Sequence, residues 1–95
     1  SDIGNTRLYR SAGLNALCVA LTAGEQFKQA IEACEEAIRI NPGSWQAVNS
    51  LGGAYYAQGD FKRAADNYRR ALEVAPTRGR ALAIVNHNIK LADAR

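Results

Sequence analysis

Residues 51–61 read Leu-Gly-Gly-Ala-Tyr-Tyr-Ala-Gln-Gly-Asp-Phe, an apolar stretch that stops at a glycine and restarts at an aromatic ring. Just upstream, Val48, Leu51, Gly52 and Tyr55 keep the i, i+3, i+4, i+7 spacing of a single helix face. Gln58-Gly59-Asp60 breaks that spacing, and Phe61, Ala64, Ala65, Tyr68, Ala71 and Leu72 resume it. Asp60 stands where its carboxylate can accept from the free amides of a helix beginning at Phe61. Ser44 offers the same to a helix beginning at Trp45. Pro76 closes the second helix, because proline disfavours helical geometry in the residue before it. Residues 45–78 are therefore expected to form a helix, a turn and a second helix.

The same pattern occurs earlier in the chain. Pro42 and Pro76 stand 34 residues apart, and at that offset Leu14, Leu17, Leu21 and Phe27 fall on Val48, Leu51, Tyr55 and Phe61. Ala30, Cys34, Ala37 and Ile38 likewise fall on Ala64, Tyr68, Ala71 and Leu72. A shorter third copy follows, in which Leu82, Val85 and Ile89 repeat the spacing of Val48, Leu51 and Tyr55. The chain thus holds two repeats and half of another, and a break at Ala23-Gly24-Glu25 divides the first.

Leu51-Gly52-x-x-Tyr55, Ala64-x-x-x-Tyr68, Ala71 and Pro76, spaced as they are, resemble the tetratricopeptide repeat. The resemblance is close in residues 45–78 and looser in 11–44. There Cys18 replaces the small residue after the leucine, Leu21 replaces the tyrosine, and Cys34 replaces the second aromatic. Trp45 also departs from the pattern, since the family's tryptophan usually falls where this chain has Val48. The resemblance implies an all-α, right-handed superhelical stack of antiparallel helix pairs, an α-solenoid. One domain over 1–95 is expected: an extension of the first helix in 1–10, repeats in 11–44 and 45–78, and a capping helix or half repeat in 79–95. Leu82, Val85 and Ile89 would cover the second repeat, while Asn86, Lys90 and Asp93 meet water. Leu8 and Tyr9 would lengthen the first helix, with Asn5 or Thr6 as its cap.

Ninety-five residues can bury only about two-thirds of their unfolded surface, so a single core of this size is marginal. Stacking of repeats offsets that, although about three are usually needed. No stretch approaches the roughly 20 apolar residues of a membrane span, and Ser1–Arg10 does not look like a signal peptide. A soluble protein is expected, with the cytoplasm favoured over the periplasm; the unit could equally be part of a larger multidomain protein. Cys18 and Cys34 occupy facing positions on antiparallel helices, where a disulfide is conceivable in an oxidising compartment. Buried packing as small hydrophobes is the favoured reading of both.

Enzyme chemistry is not legible. His87 is the only histidine, there is no C-x-x-C pair, and the carboxylates scatter over helix surfaces. No glycine-rich phosphate loop is present, and no cofactor or metal is expected. A net charge of +3 and the pairs Lys62-Arg63 and Arg69-Arg70 raise nucleic-acid binding. Those residues, however, interleave with Asp66 and Glu73 on one outer face, the pattern of a solvated, ion-paired surface, so no nucleic-acid partner is expected.

Resemblance to the family implies that the first helix of each repeat lines a concave groove. Off the packing stripe of those helices lie Asn15 and Val19, then Gln46, Asn49, Ser50, Gly53 and Tyr56, and finally Arg80, His87 and Lys90. The amides of Asn15, Gln46 and Asn49 can donate to or accept from an extended peptide backbone, and Val19 and Tyr56 offer apolar contact. Gly53 would let a ligand backbone come close. Arg80, His87 and Lys90 lie within about 80 degrees of one another on a helix, a basic stripe. The expected partner is a protein or peptide with acidic side chains or a free C-terminal carboxylate. Some family members clamp chaperone C-termini with a set of lysines, asparagines and arginine. At those places this chain has Asn15, Val19, Ser50, Arg80 and Ile84, of which only Arg80 is chemically similar, so that activity is disfavoured. A homo-oligomer formed through the open repeat ends is the alternative function.

Overall fold

The computed structural model describes residues 2–77 and 79–95, with side chains from residue 6 onward. Five helices account for nearly all of it: α1 (Asp2–Ala23), α2 (Phe27–Ile40), α3 (Trp45–Gln58), α4 (Phe61–Val74) and α5 (Arg80–Asp93). No strand occurs among the described residues. α1 pairs with α2 and α3 with α4; α2 and α1 both pack against α3, and α5 packs on α4.

The expected caps of the second repeat are in place. Ser44 Oγ accepts from the Ala47 amide at 3.2 Å, and Asp60 Oδ1 accepts from the Arg63 amide at 3.1 Å. Gly59 closes α3 in the left-handed region, at φ 92°, a backbone conformation that residues with a side chain rarely adopt. The turn of the first repeat is built differently. The left-handed residue there is Glu25, at φ 61°, and Gly24 sits one position too early to take the role. Gln26 then precedes α2 without any side-chain cap.

The N-terminal end also differs from expectation. α1 already runs from Asp2, so Asn5 and Thr6 lie within the helix and neither can begin it. Arg7 and Ser11 explain its direction: Arg7 Nη2 donates to the Ile40 carbonyl at 3.0 Å, and buried Ser11 Oγ donates to the Ala37 carbonyl at 2.9 Å. Arg7 thus satisfies a carbonyl that the end of α2 leaves without a helical partner, while the Ala37 carbonyl accepts from the Ser11 hydroxyl as well as from the Asn41 amide.

The core is built largely from small side chains: Ala30, Ala33, Ala37, Ala47, Ala54, Ala64, Ala65 and Ala71 are buried. Val48, Leu51, Tyr68 and Val85 fill the space between them. Close helix approach follows from that alanine content, at the expense of apolar area per residue. Gly52 shows how tight the approach is, because a Cβ there would stand 2.6 Å from the Tyr68 ring. Trp45 is half-buried against the core.

The cysteines are joined. Cys18 and Cys34 form a disulfide with Cα atoms 5.3 Å apart, correcting the favoured reading of two free buried thiols. The 34-residue register supplies the reason: the pair occupies the positions of Gly52 and Tyr68, whose side-chain faces touch in the second repeat. Two sulfurs bridge the same gap in the first.

At the other end, Val85 and Ala92 of α5 are buried, with Leu82 and Ile89 half-buried. Asn86 and Lys90 are exposed, while Asp93 forms an ion pair with Arg69 of α4. Arg95 returns over the Tyr56 and Phe61 rings and donates through Nε to the Tyr56 hydroxyl at 2.9 Å.

Candidate peptide-binding face

Two hollows lie along the side formed by α1, α3 and α5. The first, about 230 Å³, is lined by Leu8, Ser11, Ala12, Asn15, Asn41, Ser44 and Gln46. The second, also about 230 Å³, is lined by Val19, Thr22, Asn49, Ser50, Gly53, Tyr68 and Asn88. Neither contains a charged side chain; their polar groups are amides and hydroxyls, which can both give and take hydrogen bonds.

The expected site residues divide between these hollows and the rim. Asn15 and Gln46 line the first, and Val19, Asn49, Ser50 and Gly53 line the second. Arg80, His87 and Lys90 are all exposed on α5 and line neither. Tyr56 is turned to other work: its ring meets Phe61 edge-on at 5.1 Å, and its hydroxyl accepts from Arg95.

Leu8, Ser11, Asn41 and Ser44 of the first hollow were not anticipated as site residues, nor were three residues of the second. Thr22 Oγ1 donates to the Cys18 carbonyl at 2.8 Å, one turn back on its own helix. Tyr68 reaches through from α4 beside Gly53, where a missing Cβ leaves its hydroxyl at the floor of the hollow. Burial, with Tyr56 nearby as a smaller cause, pushes the Tyr68 phenol up to about 12, so it remains a neutral donor and acceptor throughout the physiological range. Asn88 Nδ2 donates to Asn49 Oδ1 at 2.9 Å, tying α5 to α3 across the face. The α5 periodicity assigned Asn88 to no face, so nothing in the spacing marked it.

One acceptor is left over. Asn15 Oδ1 is buried and receives no hydrogen bond from any described group. A buried carbonyl without a partner is costly, on the order of 1–3 kcal/mol, so a donor arriving from outside would be favoured there.

The tetratricopeptide repeat profile matches residues 14–82. A 53-residue stretch is 36% identical to the heat shock protein STI1 of Saccharomyces cerevisiae, covering 56% of this chain and 9% of that protein. The chain therefore spans only a small part of that relative's length. No described helix is long and apolar enough to cross a membrane. With paired helices repeating at 34 residues and a profile match over most of the length, this chain belongs to the tetratricopeptide repeat family.

Proposed function

We propose that the face formed by α1, α3 and α5 holds an extended peptide segment of a partner protein, and that the whole of 1–95 acts as one recognition unit. The observation that carries this reading is the unpartnered Asn15 carbonyl in a hollow walled by further amides and hydroxyls. A peptide N–H would satisfy that carbonyl, and Gln46 can supply the reciprocal donor. In the second hollow Val19 and Gly53 accept a small apolar side chain, while the Asn49–Asn88 pair offers its remaining donor and acceptor to the backbone. Exposed Arg80, His87 and Lys90 on the adjoining helix favour acidic residues in the same segment, chiefly by steering its approach.

The Cys18–Cys34 bridge favours an oxidising compartment over the cytoplasm, since glutathione and thioredoxin keep cytoplasmic thiols reduced. The relative's activity does not transfer on 9% of its length, and the chain's groove lacks most residues of a chaperone-tail clamp.

Selection of phage-displayed random peptides on the immobilised protein tests the reading. Acidic sequences should enrich, and should do so several-fold less on an Arg80→Ala/Lys90→Ala variant whose melting temperature is unchanged. Absence of enrichment, or enrichment indifferent to that variant, would count against it.

A further inference from the structure

We propose that the hollow beside Gly53 reads one side chain of the bound segment, a threonine whose hydroxyl pairs with the Tyr68 phenol. This rests on the reading of the α1, α3 and α5 face as a peptide groove, and it says what the small side chain admitted by Val19 and Gly53 must carry. Tyr68 supplies the ground for it. The residue is only 5% exposed, yet it lines the hollow, and among the described residues no group shares a hydrogen bond with its hydroxyl. A tyrosine buried this deeply ordinarily finds a partner for its hydroxyl, so the partner here comes from the open side.

The two adjacent glycines of α3 show how the hydroxyl reaches the hollow. At Gly52 a Cβ would stand 2.6 Å from the Tyr68 ring, so this glycine lets the ring lie against α3. Gly53 is not required in that way, since a Cβ there would make only an ordinary contact of 3.8 Å, with the hydroxyl itself. Glycine is a poor helix former, and no packing contact demands it at this position. In the repeat register Gly53 matches Val19 of α1 and His87 of α5, both with side chains. What Gly53 provides is space in front of the phenol.

The lining selects the occupant. Val19 offers an apolar wall suited to a γ-methyl, and no residue around the hollow of about 230 Å³ is charged. A carboxylate would lose water there without gaining a cation, because Arg80, His87 and Lys90 line neither hollow; acidic residues of the segment belong at the rim. Burial, more than nearby Tyr56, pushes the phenol up to about 12, so it stays protonated and can both donate and accept. An alcohol matches both roles. Valine, of nearly the same shape, would shut solvent off from the phenol without replacing its hydrogen bond.

Random peptides displayed on phage and selected in parallel on the wild-type chain and on Tyr68→Phe test this. The substitution removes the hydroxyl and keeps the ring against Gly52. Wild-type selections should converge on threonine at one position, and Tyr68→Phe selections should lose that preference. In a synthetic peptide taken from the wild-type selection, exchanging that threonine for valine should weaken binding about five- to tenfold on the wild type and less than about twofold on Tyr68→Phe. Gly53→Ala, which sets a methyl in front of the phenol, should also abolish the preference, in a protein at least as heat-stable as the wild type. A threonine preference that survives either substitution, or peptides enriched without one, would overturn the subsite and leave the groove standing. No enrichment on the wild type would overturn both.

Discussion

Cys18 and Cys34, bonded with their Cα atoms 5.3 Å apart, hold in the first helix pair the two positions that Gly52 and Tyr68 hold in the second. One repeat joins its helices by laying an aromatic ring over a glycine, and the other by a covalent link. An alanine-rich core gives the first pair few large side chains, and its second helix has no side-chain cap, so the link matters to its stability.

Reducing the bridge, or replacing both cysteines with serine, should lower unfolding free energy by about 3 kcal/mol, the loop-closure value for cysteines 16 residues apart. Urea denaturation with and without reductant measures it. Thiol titration of the unreduced, unfolded protein should find no free thiol, and two reactive thiols would contradict the bridge.

Adjacent glycines should respond with opposite sign. Gly53→Ala should stabilise by about 0.5–1 kcal/mol, because the new Cβ meets only the Tyr68 hydroxyl at an ordinary 3.8 Å and helix propensity improves. Gly52→Ala should destabilise by about 1–3 kcal/mol, since its Cβ would press on a buried ring. Thermal melts of the two variants decide it.

The turn between α1 and α2 carries a correctable strain. Glu25→Gly should raise stability by about 1 kcal/mol by relieving the left-handed backbone, and Gln26→Asp should add a similar amount by supplying the cap that Asp60 provides to α4. The two variants should be close to additive in denaturant melts; no gain from Glu25→Gly would contradict the strain.

The fold was legible because its signals are local: apolar spacing, the caps Ser44 and Asp60, and the prolines at 42 and 76 each act within a few residues. What escaped depends on contacts across the stack. Leu17 fits the packing stripe as well as Leu51 does, yet stripe membership says nothing about whether a neighbouring helix is there to cover it, and Leu17 is half exposed. Cys18 and Cys34 faced each other legibly, but whether they bond depends on a gap that Gly52 and Tyr68 reveal only once folded. On the candidate face, the position of each groove residue within its helix could be read, whereas the Asn49–Asn88 bond and the capture of Tyr56 by Arg95 arise from where α5 comes to rest.

The central claim is that a peptide binds along α1, α3 and α5, and amide-resolved NMR titration with a selected acidic peptide tests it most directly. The account predicts the largest shifts at the Gly53 backbone amide and the side-chain amides of Asn15, Gln46, Asn49 and Asn88, with α2 and the outer face of α4 unmoved. Shifts confined to α2 and α4, or no saturable shift at those amides, would contradict it.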